Sequence, residues 1–218
     1  MFDGRRWVVT AGPTYEPIDP VRFIGNFSSG KMGYALAAAL AEQGADVQLI
    51  SGPTCLQPPA GVERIAVMTA REMLNACQEA VEKARGLIMA AAVADFRPRT
   101  AAAQKVKKQP GQAVWTLELV PNPDILQALA CRKRPDQIFI GFSLETHDGE
   151  HYALEKLRRK KLDAIVLNHP YEKGGIGADD NEVTVLYPDG GRHFISYRPK
   201  QEAARAIVAE LARRFSSE

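Results

Sequence analysis

The stretch Arg22-Phe-Ile-Gly-Asn-Phe-Ser-Ser-Gly-Lys-Met-Gly33 constrains this chain more than any other. An apolar run, Trp7-Val8-Val9-Thr10, precedes it and ends in the turn Ala11-Gly12-Pro13-Thr14, so a strand leads in. Behind it, Tyr34-Ala-Leu-Ala-Ala-Ala-Leu-Ala-Glu-Gln-Gly44 consists of strong helix formers and closes on a glycine where a C-cap belongs. Ser28, Ser29 and Gly30 therefore fall where a helix begins. Free backbone N–H groups and the positive helix end favour phosphate or carboxylate at such a place. Strand, polar glycine-bearing loop and helix in this order form a nucleotide-site layout.

Two familiar loops differ from it. Gly25-x-x-x-x-Gly30-Lys31 opens like a P-loop, but Met32 stands where Ser or Thr would hold magnesium, and Thr14 to Ile24 intervenes between strand and loop. The dinucleotide fingerprint G-x-G-x-x-G is absent, since only Gly30-x-x-Gly33 remains. Close packing of a helix on a sheet would explain the two glycines alone. It would not explain why Asn26, Ser28, Ser29 and Lys31 are all polar in one short loop, whereas anion binding does.

The rest of the chain alternates strand and helix. Strands are expected at Asp46–Ser51, Val62–Val67, Gly86–Ala94, Trp115–Val120, Ile138–Ser143 and Ala164–Asn168. Helices are expected from Thr69 through Ala84, from Pro121-Asn-Pro-Asp124 onward, from Asp148 to Leu162, and from Lys200 to about Phe215. In the first of these Thr69 caps, Glu72 sits at the capping-box position, and Met73, Leu74, Cys77 and Val81 form the apolar stripe. Glu182–Tyr187, the turn Pro188-Asp-Gly-Gly191 and Arg192–Tyr197 read as a β-hairpin. The order argues an α/β fold: a doubly wound, mostly parallel, Rossmann-like sheet with an antiparallel hairpin added near the C-terminus.

The 218 residues, 45% of them hydrophobic, suffice for a single domain over 1–218 with a full core. Twenty-eight basic against twenty-six acidic residues is near balance, so net charge suggests no nucleic-acid partner. No apolar run approaches the roughly 20 residues needed to span a bilayer. Cys55, Cys77 and Cys131 form no C-x-x-C pair and, with four scattered histidines, assemble no zinc pattern; metal ligands stay unassigned. Each cysteine reads as a small buried hydrophobe, which suits a reducing cytoplasm, the expected location.

In doubly wound folds ligands bind beyond the carboxyl ends of the strands. Those ends here carry Thr10 to Thr14, Asp95, Glu145-Thr146 and Asn168. Asp95 could bind a metal, a sugar hydroxyl or an amine, or simply cap a turn. Lys105, Lys107 and Lys108 lie in a segment without periodicity, read as a mobile basic loop that either closes on polyphosphate or is solvated charge. Lys156 and Lys160 share a helix face and could reach one anion, although cations also suit that helix end without any ligand. Tyr152-x-x-x-Lys156 has the spacing of short-chain dehydrogenases, but their glycine fingerprint is missing.

Taken in order, Thr10-Ala-Gly-Pro-Thr14, Glu16-Pro-Ile-Asp-Pro-Val-Arg-Phe-Ile24, Asn26, Ser28-Ser-Gly-Lys-Met-Gly33, Ala91-Ala-Val-Ala-Asp95, Lys105-x-Lys-Lys108, Asn122-Pro-Asp124 and Gly141-Phe-x-x-Glu-Thr146 resemble the phosphopantothenoylcysteine synthetase family of coenzyme A biosynthesis. The resemblance runs from about Trp7 to Phe215. It implies a ligase that joins 4′-phosphopantothenate to L-cysteine through an acyl-cytidylate, using CTP with Mg2+, with ATP as the alternative nucleotide. Asn26 matches the asparagine serving the cysteine step, and Lys105, ten residues after Asp95, the flexible-loop lysine of activation. Arg22 and Ala91 match substrate positions. Gly12, Ser28, Ser29, Gly30, Asp95, Asn122, Asp124, Phe142, Lys156 and Lys160 match nucleotide positions. Lys31 is within the motif without an assigned contact. The resemblance further implies a homodimer, with Val183 to Tyr197 contributing to the contact, and a flavin-dependent decarboxylase as fused or separate partner. No FMN site is expected in this chain.

Overall fold

The computed structural model describes residues 1–145, 147–168 and 177–216. The leading strand, β1 (Arg6–Ala11), is buried from Trp7 to Ala11, as a central strand covered on both faces must be. Two short strands not foreseen in the sequence, β2 (Tyr15–Pro17) and β3 (Phe23–Gly25), pair with each other between β1 and the glycine loop. Then come α1 (Lys31–Glu42), β4 (Asp46–Ser51), β5 (Glu63–Ala66), α2 (Ala70–Val81) and β6 (Gly86–Met89). The chain continues through β7 (Phe96–Pro98), β8 (Leu119–Pro121), α3 (Ile125–Ala130), β9 (Ile138–Leu144) and α4 (Gly149–Arg159). It ends with β10 (Ala164–Asn168), β11 (Asp180–Leu186), β12 (Arg192–Pro199) and α5 (Lys200–Phe215).

Eight strands form one sheet in the order β12-β11-β10-β9-β6-β1-β4-β5. From β5 to β10 all neighbours are parallel, and the hairpin β11–β12 adds antiparallel strands beside β10. The fold is the doubly wound, Rossmann-like sheet with an added hairpin that the alternation predicted. Strand alternation sorts the core into two layers. Trp7, Val9, Ile140, Val166 and Val183 pack with Leu36, Leu40, Ile207 and Leu211 of α1 and α5. Val8, Leu87, Phe139 and Ile165 pack with Met73, Cys77, Leu126 and Leu157 of α2, α3 and α4 on the other face.

Local chemistry explains several element ends. Thr69 Oγ1 accepts the Glu72 N–H at 3.2 Å, but the Glu72 carboxylate reaches past the cap to the Met68 N–H at 2.7 Å. Gly33 has no room for a side chain: an added Cβ would lie 2.5 Å from Ala11 Cβ and 2.9 Å from the Thr10 carbonyl. The close approach of α1 to β1 thus depends on it.

Some expectations are corrected. The apolar run Gly86–Ala94 leaves the sheet after Met89, and residues 90–95 become a loop. Of Trp115–Val120 only Leu119 and Val120 are in a strand, and that strand pairs with β7 outside the main sheet. Only Cys77 is a buried cysteine; Cys55, in the proline-rich loop, and Cys131, at the end of α3, are exposed free thiols. No described helix is long and apolar enough to cross a membrane.

Candidate active site

After β1 the chain turns through β4 and β5 on one side of the sheet, then returns to place β6 on the other side of β1. The carboxyl ends of β1 and β6 therefore diverge, which is where such sheets open a crevice. A cavity of about 730 Å³ occupies this place. Its walls come from the Asn26–Gly33 loop and α1, the Met89–Phe96 loop, Pro121–Leu126, the end of β9, and the sides of α4, β10 and β11.

Backbone hydrogen bonding builds the floor. Thr10 Oγ1 accepts the Ala91 N–H at 3.1 Å, and Thr14 Oγ1 accepts the Ala94 N–H at 2.9 Å. Both threonines are fully buried, so these polar groups at the end of β1 support the loop after β6 and do not face a ligand. Asn26 Nδ2 donates to the Ala92 carbonyl at 3.0 Å, which orients the carboxamide over the cavity. Asn122 Nδ2 donates to the Ala94 carbonyl at 2.8 Å and ties the neighbouring wall to the same loop.

The Ser28–Gly30 turn opens the first long helix, as its sequence implied. Gly30 is the N-cap of α1 at φ 78°, with no side-chain cap, so the first N–H groups of the helix are left to a ligand. Gly12, also at positive φ, does not line the cavity; it lies beneath Gly30, whose added Cβ would come within 3.3 Å of Gly12 Cα. Two glycines stacked in this way let the turn sit low over the end of β1.

On the α3/α4 side, Lys156 Nζ donates to the Phe142 carbonyl at 2.6 Å, and Lys160 Nζ pairs with Asp124 Oδ2 at 2.9 Å. Asp124 is also the N-cap of α3, accepting the Gln127 N–H at 3.1 Å. Burial pushes its carboxyl up, but the Lys160 ammonium and the Gln127 N–H outweigh that and hold it below the usual range. Burial, reinforced by the Lys160 charge, lowers Lys156 to about 8.

The structure brings together Asn26, Ser28, Ser29, Gly30, Ala91, Asp95, Asn122, Asp124, Phe142, Lys156 and Lys160, and adds Lys31. Arg22 and Lys105 lie outside the cavity. The Arg22 guanidinium pairs with Asp19, donates to the Val106 carbonyl at 2.7 Å and sits 4.7 Å over the Trp115 ring. Lys105 is exposed on the loop so held. Tyr152 does not line the cavity; it is 40% exposed, its ring edge-on to His147 and His151, which leaves the dehydrogenase spacing without a site. Thr146 lies outside the described residues. Asn181 and Lys200, which no local motif in the sequence marks, line the cavity from β11 and α5.

Fold and site define a doubly wound α/β domain with a cavity at its switch point, lined by a glycine turn, an uncapped helix N-terminus and lysines. The chain belongs to the family described as DNA/pantothenate metabolism flavoprotein C-terminal domain, whose model matches residues 2–215. It is 46% identical over 213 residues to the coenzyme A biosynthesis bifunctional protein CoaBC of Bacillus subtilis (strain 168), covering 97% of this chain and 52% of that protein. The chain thus spans about half the length of the curated relatives it matches. It also resembles a crystal structure of the C-terminal domain of CoaBC, at 38% identity, TM-score 0.84 and 100% coverage of both chains. A Cab2 mutant in complex with phosphopantothenate-cysteine shares the fold, at 17% identity, TM-score 0.77, and coverage of 98% of this chain and 87% of that one.

Proposed function

We propose that this chain is a phosphopantothenate–cysteine ligase that activates its acyl substrate with a nucleotide, CTP in preference to ATP. The observation that carries the reading is the cavity wall itself: an uncapped helix N-terminus, Lys156, Lys160, Asn26 and Asp95 all line one cavity. Membership of the pantothenate-metabolism family and the likeness to CoaBC proteins support it.

A carboxylate acylates amines poorly until one of its oxygens becomes part of a leaving group. In the first step a carboxylate oxygen of 4′-phosphopantothenate attacks the α-phosphorus. The bond to the β-phosphate oxygen breaks, pyrophosphate leaves, and an acyl-nucleotide remains. Lysines and helix N–H groups lower the cost of gathering these charges. In the second step the cysteine amine attacks the acyl carbon, the carbon–oxygen bond to the nucleotide breaks, CMP leaves and the amine loses a proton. Asn26, fixed by Ala92, presents its carboxamide to that centre.

Among the described residues no group of three or more His, Cys, Asp or Glu could hold a metal. Of the two carboxylates lining the cavity, Asp124 is paired with Lys160 and Asp95 makes no ion pair among the described residues. That suits Mg2+, which binds through one or two carboxylates together with substrate phosphates. When bound, the ion would screen the triphosphate charge. The assembly is proposed as a homodimer served by a flavin-dependent decarboxylase, fused or separate.

Pyrophosphate release is the test, with 4′-phosphopantothenate, Mg2+ and either CTP or ATP, followed by addition of L-cysteine. Substrate-dependent release and formation of the amide are expected, faster with CTP. Folded protein that releases no pyrophosphate with either nucleotide would overturn the reading.

A further inference from the structure

The glycine turn that opens α1 is supported by the loop that follows β4. Thr54 Cγ2 would lie 2.7 Å from a Cβ added to Gly30 and 3.0 Å from one added to Gly12. The methyl of Thr54 thus fills the space that both glycines leave. Gly52 brings the same loop close to the end of β1, since an added Cβ there would lie 1.7 Å from the Pro13 carbonyl oxygen. Three segments far apart in sequence, Gly12–Pro13, Gly30 and Gly52–Thr54, therefore converge on one point.

The hydroxyl of Thr54 ties this point to the helix. Thr54 Oγ1 donates to the Tyr34 hydroxyl at 3.2 Å and accepts the Leu56 N–H at 3.3 Å. Tyr34 donates in turn to Ser51 Oγ at 3.1 Å, and Ser51 donates to the Gly52 carbonyl at 2.8 Å. Tyr34 is the fourth residue of α1, and its backbone N–H donates to the Gly30 carbonyl at 3.1 Å. One residue thereby holds the turn with its backbone and the β4 loop with its side chain.

Tyr34 and Ser51 are buried, at 6% and 2% exposure. Hydrogen bonds between buried groups are directional, so this chain of hydroxyls fixes a geometry that apolar packing alone would let slide. Burial pushes the Tyr34 phenol up, but Ser51, Thr54 and the Arg64 guanidinium outweigh it and hold the phenol below its ordinary value. None of Tyr34, Ser51 and Thr54 lines the cavity. Their connection to it runs through Gly30.

We propose that Thr54, held by Tyr34 and Ser51, is a positioning residue that sets the height of the Ser28–Gly30 turn. It thereby sets the direction in which the first N–H groups of α1 meet a ligand. Several donors aimed at one group lengthen together when the turn shifts, so a small displacement weakens all of them. The proposal rests on the ligase reading for the nucleotide phosphates that the turn receives.

Thr54→Ser removes the methyl and keeps the hydroxyl, whereas Tyr34→Phe removes the hydroxyl and keeps the ring. Titration calorimetry of the full chain with CTP and with inorganic pyrophosphate gives the first readout, and steady-state kinetics the second. Each variant is expected to raise both dissociation constants, and the KM for CTP, by about tenfold, with the KM for L-cysteine unchanged. A cluster that merely stabilises the fold would lower the melting temperature and leave affinities measured well below it at the wild-type value. That result overturns the proposal, as does an equal rise in KM for CTP and L-cysteine. Should Tyr34→Phe fail to fold, Thr54→Ser carries the test. Wild-type protein that binds neither CTP nor pyrophosphate overturns the proposal without any variant. Protein that binds both, and loses affinity for both on Thr54→Ser, but never forms the amide, would leave Thr54 in its role while removing the ligase reading.

Discussion

The carboxylate of Asp19 accepts the backbone N–H of Val106 at 3.1 Å, across 87 positions of sequence. Asp19 is buried, at 4% exposure, and also accepts the Val21 and Arg22 N–H groups at 2.9 Å each. Arg22 closes the clamp by donating to the Val106 carbonyl at 2.7 Å. The residue next to Lys105 is thus held by both of its backbone polar groups, and the basic loop has a rigid root. This gives Arg22 work outside the cavity.

Asp19→Asn should therefore act through Lys105. Pyrophosphate release is expected to fall by about tenfold, with nucleotide affinity kept and faster hydrogen exchange at the Val106 amide. Lys105→Gln should suppress the same step without altering exchange. A variant of Asp19 with protected Val106 and full activity would separate the clamp from catalysis. The Arg22 guanidinium beside Asp19 holds its carboxyl well below the usual carboxylate range. Its contribution to stability is therefore present above about pH 4 and lost as the pH falls below it.

Asn26→Asp should leave the first half-reaction running and slow the second, so that acyl-nucleotide accumulates and can be trapped for mass spectrometry. Its carboxamide is anchored by donation to Ala92, a bond a carboxylate cannot make. Equal loss of pyrophosphate release and amide formation would count against a role specific to the cysteine step.

Lys156 is lowered to about 8, by burial first and Lys160 second. A bound phosphate favours its charged form, so nucleotide binding should take up protons most strongly near that pH, and affinity should decline as the pH rises above it. Titrations in buffers of different ionisation enthalpy measure the uptake. Lys156→Met should abolish it; uptake that persists would assign it to another group. In folding the sign differs from that of a salt-bridged lysine. The cost of burying the charge is full below the lowered value and is relieved as pH rises toward the ordinary range of about 10.4.

Gly33→Ala should destabilise the fold although alanine favours helix. The new methyl would lie 2.5 Å from Ala11 Cβ and 2.9 Å from the Thr10 carbonyl, both within a central strand that cannot yield. A loss of about 1–3 kcal/mol, typical of overpacking, is expected by denaturant unfolding. A higher melting temperature would mean that α1 can move off the sheet.

The edge strand β12 exposes Phe194 at 59% and Tyr197 at 45%. If the hairpin contributes to a homodimer, Phe194→Glu should shift the mass measured by light scattering toward the monomer. A wild-type chain that is monomeric at assay concentration would remove the hairpin from that role.

Much of this architecture was legible locally. The alternation of strands and helices, Thr69 as a cap, a helix start at Pro121–Asp124 and the Gly30 turn follow from side-chain period and backbone preference within a few residues. The same local signals misled at Gly86–Ala94, where an unbroken apolar run stays apolar after leaving the sheet because it lines a cavity floor. They also missed β2 and β3, whose three residues each are too short to show a period.

The amino-acid sequence by itself determined most of the long elements, the face each buries and the glycine turn that opens α1, because those depend on interactions a few residues apart. Tertiary structure alone decided that Lys160 pairs with Asp124, that Asp19 and Arg22 clamp Val106, and that Asn168, Asn181 and Lys200 meet Lys31 at one cavity. Partners such as Lys31 and Asp179 are 148 residues apart. Their meeting follows from the order in which strands pair, and that order is set by the whole core rather than by any segment's own preference.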